Sequence, residues 1–223
     1  MAKSVIKFLK TREVQLPERG HRHDAGIDFF VPRFDKSFVS ALKTKNPHLF
    51  ETHYNGCQRE PYGHITMKGD GSKSSPELRF DLGDPNNSLI KFDQEEGKCY
   101  IPLAPMQRVN IPSGIWCKME EEGRALIAHN KSGIASKMGL IFGAQVVDYG
   151  YQGEIHINVI NTSSKLVRVY EGDKLMQFVE MPIFTSEIQE VERFPELYPE
   201  GETSRADGGF GSTDKKEPEQ LNS

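Results

Sequence analysis

Cysteine is scarce in this chain of 223 residues: Cys57, Cys99 and Cys117 lie far apart and form no CxxC pair. That pattern argues against a disulfide framework and against a structural zinc site, and three reduced thiols are the expectation. Long apolar runs are missing as well. The longest fall far below the roughly 18 residues that a membrane span needs, so no membrane partner is expected. The opening stretch Met1–Lys10 is too short and too interrupted in its apolar residues for a signal peptide, and a cytoplasmic setting is the expectation. An excess of positive charge is also absent. With 28 Lys+Arg against 32 Asp+Glu the net charge is −4, which excludes a polybasic nucleic-acid binder held by phosphate neutralisation alone.

Helical periodicity is the last shortage. Most alternations have period two, as in Val5–Leu9, Ile155–Ile160 and Lys174–Val179. In the second, Ile155, Ile157 and Val159 share one face while His156 and Asn158 point the other way. Gly and Pro punctuate these runs, at Ile111-Pro-Ser-Gly114 and Gly172-Asp173 for instance. Many short strands between turn signals predict an all-β protein, a jelly-roll-like barrel or sandwich. Two helices are predicted beside it. One follows Asp35 as N-cap, with Phe38, Val39 and Leu42 on one side and Asn46-Pro47 as its stop. The other is short, near Lys131–Gly139, with Gly139 ending it.

Composition divides the chain into a β core over residues 1–34 and 99–185, a polar insertion over 35–98, and a C-terminal arm over 186–223. The insertion carries several turn signals and only brief strand-like pieces, Ile65-Thr66-Met67 and Leu89–Phe92, and is expected to be a small α+β or β segment. The arm turns acidic, then Gly-rich, and ends in a polar tail expected to be disordered.

Several segments carry candidate chemistry. Gly69–Ser75 looks like a P-loop but has Ser72 where a Gly must precede the Lys, so it reads as a turn. Asn130-Lys131-Ser132-Gly133 combines free N–H groups at a helix start with a hydroxyl and a cation, a combination that suits a phosphate; an ordinary cap with a solvated Lys is the alternative. Val146–Tyr151 puts Asp148 and Tyr151 at a turn between strands, where Asp is either a turn former or a general base. Gly208–Thr213 surrounds Phe210 with glycines downstream of Arg205, which suits either a ligand-wrapping strap or a plain tail. His21-Arg-His23-Asp24 reads as a solvent-facing loop.

In order along the chain, residues 24–30, 130–140, 143–154, 172–179 and 205–213 resemble the five sequence motifs of the homotrimeric dUTPase family. The resemblance spans residues 1–34 and 99–214. It implies that Asp28, in Asp24-Ala-Gly-Ile-Asp28, lies in the metal–triphosphate environment and acts on Mg²⁺ through water. It implies that Asp148 is the water-activating carboxylate and that Tyr151 lies against the deoxyribose. Substrate-binding roles are implied for Lys131, Ser132, Gly133, Gly143, Val147 and Gln177, and in the arm for Arg205, Phe210, Gly211 and Ser212, with Phe210 stacking on uracil and Arg205 reaching the terminal phosphate. Three departures stand out: Lys131 where the family has Arg, Gln145 for a usual Gly, and Gly150 for a common acidic residue. Lysine cannot make arginine's two-pronged contact.

The implied reaction is dUTP + water → dUMP + pyrophosphate, assisted by Mg²⁺ and run in a homotrimer whose three chains share each site, in the cytoplasm or in a host's cytoplasm for a viral chain. Two other readings differ in class. A dCTP deaminase relative would need a Glu where Asn158 stands, and an amide cannot do that acid–base work. A dUTP-responsive regulatory protein would use residues 35–98 as the surface for a protein partner.

Overall fold

The computed structural model describes residues 4–49 and 89–201. Cys57, the Ile65–Met67 piece, the Gly69–Ser75 turn and the arm residues Arg205, Phe210, Gly211 and Ser212 lie outside the described residues.

The period-two runs are strands. In chain order these are β1 (Ile6–Lys10), β2 (Gly26–Asp28), β3 (Lys91–Asp93), β4 (Lys98–Leu103), β5 (Arg108–Pro112), β6 (Ile115–Met119), β7 (Arg124–Asn130), β8 (Leu140–Phe142), β9 (Val146–Asp148), β10 (His156–Asn161), β11 (Val167–Tyr170) and β12 (Met176–Pro182). They pair antiparallel in four small sheets, ordered β1-β6, β5-β10-β8, β11-β4-β3 and β2-β12-β7-β9. The architecture is all-β and jelly-roll-like. Alternation along β10 has the consequence expected of it: Ile157 and Val159 are buried with Ile155 just ahead of the strand, while His156 and Asn158 are only part-buried. The sheets close on one apolar core, with Phe29 and Phe178 packed at 4.6 Å between ring centroids and Phe8 edge-on to Phe29 at 5.9 Å.

Both predicted helices form. α1 (Lys36–Lys45) starts where Asp35 accepts the Phe38 N–H at 2.8 Å, and Phe38, Val39 and Leu42 are its buried face. That N–H bond is also the main reason the Asp35 carboxyl is held below its usual range. The helix is tied to the β-rich core, because the buried Asn46 amide donates to Leu42 O at 2.7 Å and Asn110 O at 2.9 Å, and its oxygen accepts the Asn110 N–H at 2.7 Å. All three are bonds to backbone groups that burial would otherwise leave unmet. At the far side of the polar stretch β3 pairs with β4 and presents Asp93 to Arg168 and Tyr170 at 2.8 and 2.7 Å. Both ends of the 35–98 stretch are therefore anchored in the core. α2 (Ser132–Met138) ends at Gly139, whose φ of +66° and closeness to Ser163, 2.8 Å from where a Cβ would sit, require glycine.

The chain forms two compact units, Met1–Phe184 and Thr185–Ser223. The described part of the second, residues 185–201, holds a one-turn helix α3 (Phe194–Leu197), with Arg193 bonded to Glu196 at 2.8 Å and the Phe194 and Tyr198 rings 5.2 Å apart.

Candidate active site

The sheet β2-β12-β7-β9 gathers candidate residues from three separate parts of the sequence. Pairing places Gln177 opposite both Asp28 and His129. Beside them opens a cavity of about 380 Å³ lined by residues that include Asp24, Gly26, Asp28, Asn130, Lys131 and Gln177. Lys131, at the start of α2, forms an ion pair with Oδ1 of the buried Asp28. Lys174 approaches the other oxygen, its Nζ 3.6 Å from Asp28 Oδ2 and 5.3 Å from the centre of the Phe30 ring. One carboxylate thus holds two ammonium groups, of which Lys131 lines the cavity. A buried charge without such partners would be costly. Gln177 donates to Asn130 O at 3.0 Å. A Cβ at Gly26 would fall 1.8 Å from Gln177 Oε1, so only glycine lets the Gln177 amide lie across β2. Ser132 and Gly133 follow Lys131 as exposed residues of the first turn of α2.

A second group forms around β8 and β9. Gly143 donates its N–H to Asn158 O at 3.1 Å, and a Cβ there would meet Asn158 Oδ1 at 2.2 Å. The Phe142 N–H donates to Asn130 Oδ1 at 3.0 Å, linking this loop to the start of α2. Val147 turns its side chain into the core, so only its backbone faces outward. Asp148 ends β9 with an exposed side chain. Its carbonyl accepts the Tyr151 N–H at 3.1 Å, making a tight turn that presents the half-exposed Tyr151 ring. Gln145 caps the pairing through its carbonyl, which accepts the Ala128 N–H at 2.7 Å. Nothing lies within 4 Å of a Cβ built at Gly150.

The two groups are separate on one chain. Asp148 is paired with Ala125, whereas the cavity begins at His129 and Asn130. Those points are four to five residue steps apart along β7, roughly 13–17 Å at strand spacing. Asp28, Lys131 and Gln177 are brought together; Asp148 and Tyr151 are brought together; among the described residues, the cavity at the first set is not lined by the second.

Among the described residues no group of three or more His, Cys, Asp or Glu side chains is placed to hold a metal ion. His21 and His23 sit in an exposed loop where the His21 N–H donates to Asp24 at 2.8 Å. Cys99 and Cys117 are free thiols, and burial pushes Cys117 up to about 11, which makes it a poor nucleophile. Two residues of consequence escape a reading of the sequence alone. Lys174 stands inside the fourth motif but carries no pattern that points to Asp28. Arg12 is bonded to Glu154 across 142 positions of sequence.

A family model described as dUTPase matches residues 97–214, more than half of the chain. The chain belongs to the dUTPase family. A deoxyuridine 5′-triphosphate nucleotidohydrolase of Desulfitobacterium hafniense is 36% identical over 124 residues, covering 55% of this chain and 75% of the relative. Another from Clostridium novyi is 37% identical over 136 residues and is covered over 91% of its length. Among solved structures, a Staphylococcus bacteriophage 80alpha dUTPase with dUPNHPP superposes with a TM-score of 0.56 at 18% identity, covering 93% of this chain and 97% of that one. At that identity the likeness speaks to the fold. A dUTPase fold is what the described strands build here, and no described helix is long and apolar enough to cross a membrane.

Proposed function

We propose that this dUTPase carries out its hydrolysis of dUTP to dUMP in sites assembled between chains, with Asp148 as the base and pyrophosphate as the leaving group. The observation that carries this reading is the split just described: a polar cavity holding the Lys131–Asp28 pair and an exposed carboxylate–aromatic turn, both presented outward by one chain yet held apart. A homotrimer in which the turn of one chain meets the cavity of another supplies a complete site three times over.

In the cavity half, Lys131 and the N–H groups at Ser132 and Gly133 suit phosphate oxygens, and Gln177 offers an amide beside them. Lys131 is a point charge rather than a fork, so it neutralises more than it orients. In the turn half, the Asp148 carboxylate accepts a proton from water as the water oxygen bonds to the α-phosphorus. The bond from that phosphorus to the bridging oxygen breaks, and pyrophosphate leaves. Such a base is worth about 10²–10⁴-fold, so positioning and charge stabilisation carry the rest. Tyr151 packs against the sugar and leaves a 2′-hydroxyl neither room nor partner. Backbone groups around Gly143 and Val147 read the uracil edge. The motif that holds Arg205, Phe210, Gly211 and Ser212 assigns these residues to phosphate and base recognition.

Magnesium fits these residues in one manner. The cavity offers Asp24 and Asp28 but no cage of protein ligands, and Asp28 is already engaged by two lysines. That donor set suits an ion carried in by the triphosphate and touched by Asp28 through water, in keeping with magnesium's preference for phosphate and water oxygens. When bound it would neutralise triphosphate charge and orient the leaving oxygens. The deaminase reading is disfavoured by Asn158, whose amide sits against Gly143.

Pyrophosphate release from dUTP, dCTP, dTTP and UTP, run beside Asp148→Asn, tests the reading. Turnover confined to dUTP and abolished by the substitution is expected; equal dUTP rates for both proteins would remove Asp148 from its role.

A further inference from the structure

Tyr151 is 44% exposed, so no core packing fixes its ring. Its position is set by three local contacts. The backbone turn onto Asp148 is one. The second is Gly153, where a Cβ would stand 2.4 Å from the Tyr151 hydroxyl. The third is the hydroxyl itself, which donates to Glu154 O at 2.9 Å. Glu154 is in turn gripped from the far side. Arg12 reaches it with two bonds, Nε to Oε1 at 3.1 Å and Nη2 to Oε2 at 2.9 Å, and the Gly114 N–H adds a third at 2.7 Å. The pair is largely buried, with side-chain exposures of 12% and 15%. Burial alone would push the Glu154 carboxyl up, but the Arg12 bonds, the Gly114 N–H and the Arg12 charge together hold it below its usual range. Gly114, at φ +72° and with room for a Cβ only 3.1 Å from Arg12 Cβ, lets the Arg12 segment come this close.

We infer that Arg12 is a positioning residue for Tyr151: by clamping Glu154 it fixes the carbonyl that orients the ring, and so sets how strictly the enzyme refuses a 2′-hydroxyl. This rests on the sugar-facing role proposed for Tyr151. Two-pronged guanidinium–carboxylate geometry restrains orientation as well as distance, and small displacements of a positioning group are costly to selectivity. Nothing in the catalytic proton transfer requires Arg12.

The test is kcat/KM for dUTP and for UTP in the full chain carrying Arg12→Gln, Tyr151→Phe, both together, or Tyr151→Ala. Arg12→Gln is expected to lower the dUTP-to-UTP ratio about tenfold. Tyr151→Phe, which cuts the link at its other end, is expected to lower it similarly, and the double variant to match the worse single one within about twofold, because linked residues are non-additive. Arg12→Lys, lacking the fork, should fall between wild type and Arg12→Gln. If Arg12→Gln fails to fold, Glu154→Gln gives the same readout with the carbonyl retained. A ratio unchanged by Arg12→Gln but lowered by Tyr151→Ala would overturn the inference alone, as would full additivity in the double variant. A ratio unchanged by Tyr151→Ala would sink the Tyr151 reading and the inference with it.

Discussion

The two halves of the candidate site are built on opposite plans. Around Asp28 a buried carboxylate is locked by its neighbours: the part-buried Lys131 and the exposed Lys174 share it, and Gln177 is pinned to Asn130 over a glycine. Around Asp148 the groups are exposed and held by a backbone turn and the Tyr151 hydroxyl bond to Glu154 O, with the Arg12–Glu154 pair set behind them. The first plan suits a site that must receive several negative charges without rearranging. The second suits a base and a ring that complete their surroundings on meeting another surface. A locked half and an open half on one chain make sense if each finds its complement elsewhere.

That contrast predicts which substitutions harm chemistry alone and which harm the fold too. Asp148→Asn should cost about 10²–10⁴-fold in kcat and leave the melting temperature unchanged, because the carboxylate is exposed. A marked drop in melting temperature would erase the distinction between the halves. Asp28→Asn should do both kinds of damage. Removing a buried carboxylate strands Lys131 and Lys174 beside each other, at a cost of about 2–4 kcal/mol discounted for their partial exposure, measurable by urea unfolding alongside a fall in kcat/KM. Lys131→Arg is a gentler probe. A fork in place of a point charge should lower KM for dUTP by about two- to fivefold with kcat little changed; a raised KM would mean the cavity is shaped around lysine.

The smallest effect concerns the backing of the open half. His156 lies next to the Glu154 clamp, its Nε2 buried and without a hydrogen-bond partner among the described residues. Burial is the main reason its affinity for a proton is lowered, opposed by Glu154 and assisted by the charge of Lys45. With the folded value below the ordinary 6.5, the unfolded chain binds the proton first as pH falls. The stability carried by neutral His156 is therefore complete above 6.5 and lost as pH drops through the folded value. Urea midpoints at pH 7.5 and 5.5 should differ less in His156→Phe than in the wild type; an equal difference would show that the imidazole stays solvated.

Much of this was legible from residue order. Alternation identified the face of β10, and Asp35 with Phe38, Val39 and Leu42 located α1 and its buried side. Glycines that must be glycine marked the end of α2 and the motif positions. What alternation cannot encode is register. A period of two says which residues share a face but not which partner they meet, so the pairing of Asp148 with Ala125, and hence its separation from Lys131, emerges only from the assembled sheet. Lys174 with Asp28 and Arg12 with Glu154 were hidden for the same reason: each joins segments distant in sequence through geometry alone.

The central claim is that one chain's Asp148 serves another chain's cavity, and mixing two inactive proteins tests it directly. Asp148→Asn and Lys131→Ala chains, co-refolded in equal amounts, should regain about a quarter of wild-type dUTP turnover, since random trimers pair an intact turn with an intact cavity in about one site of four. Hybrid trimers that form yet stay inactive would show that both halves must come from the same chain.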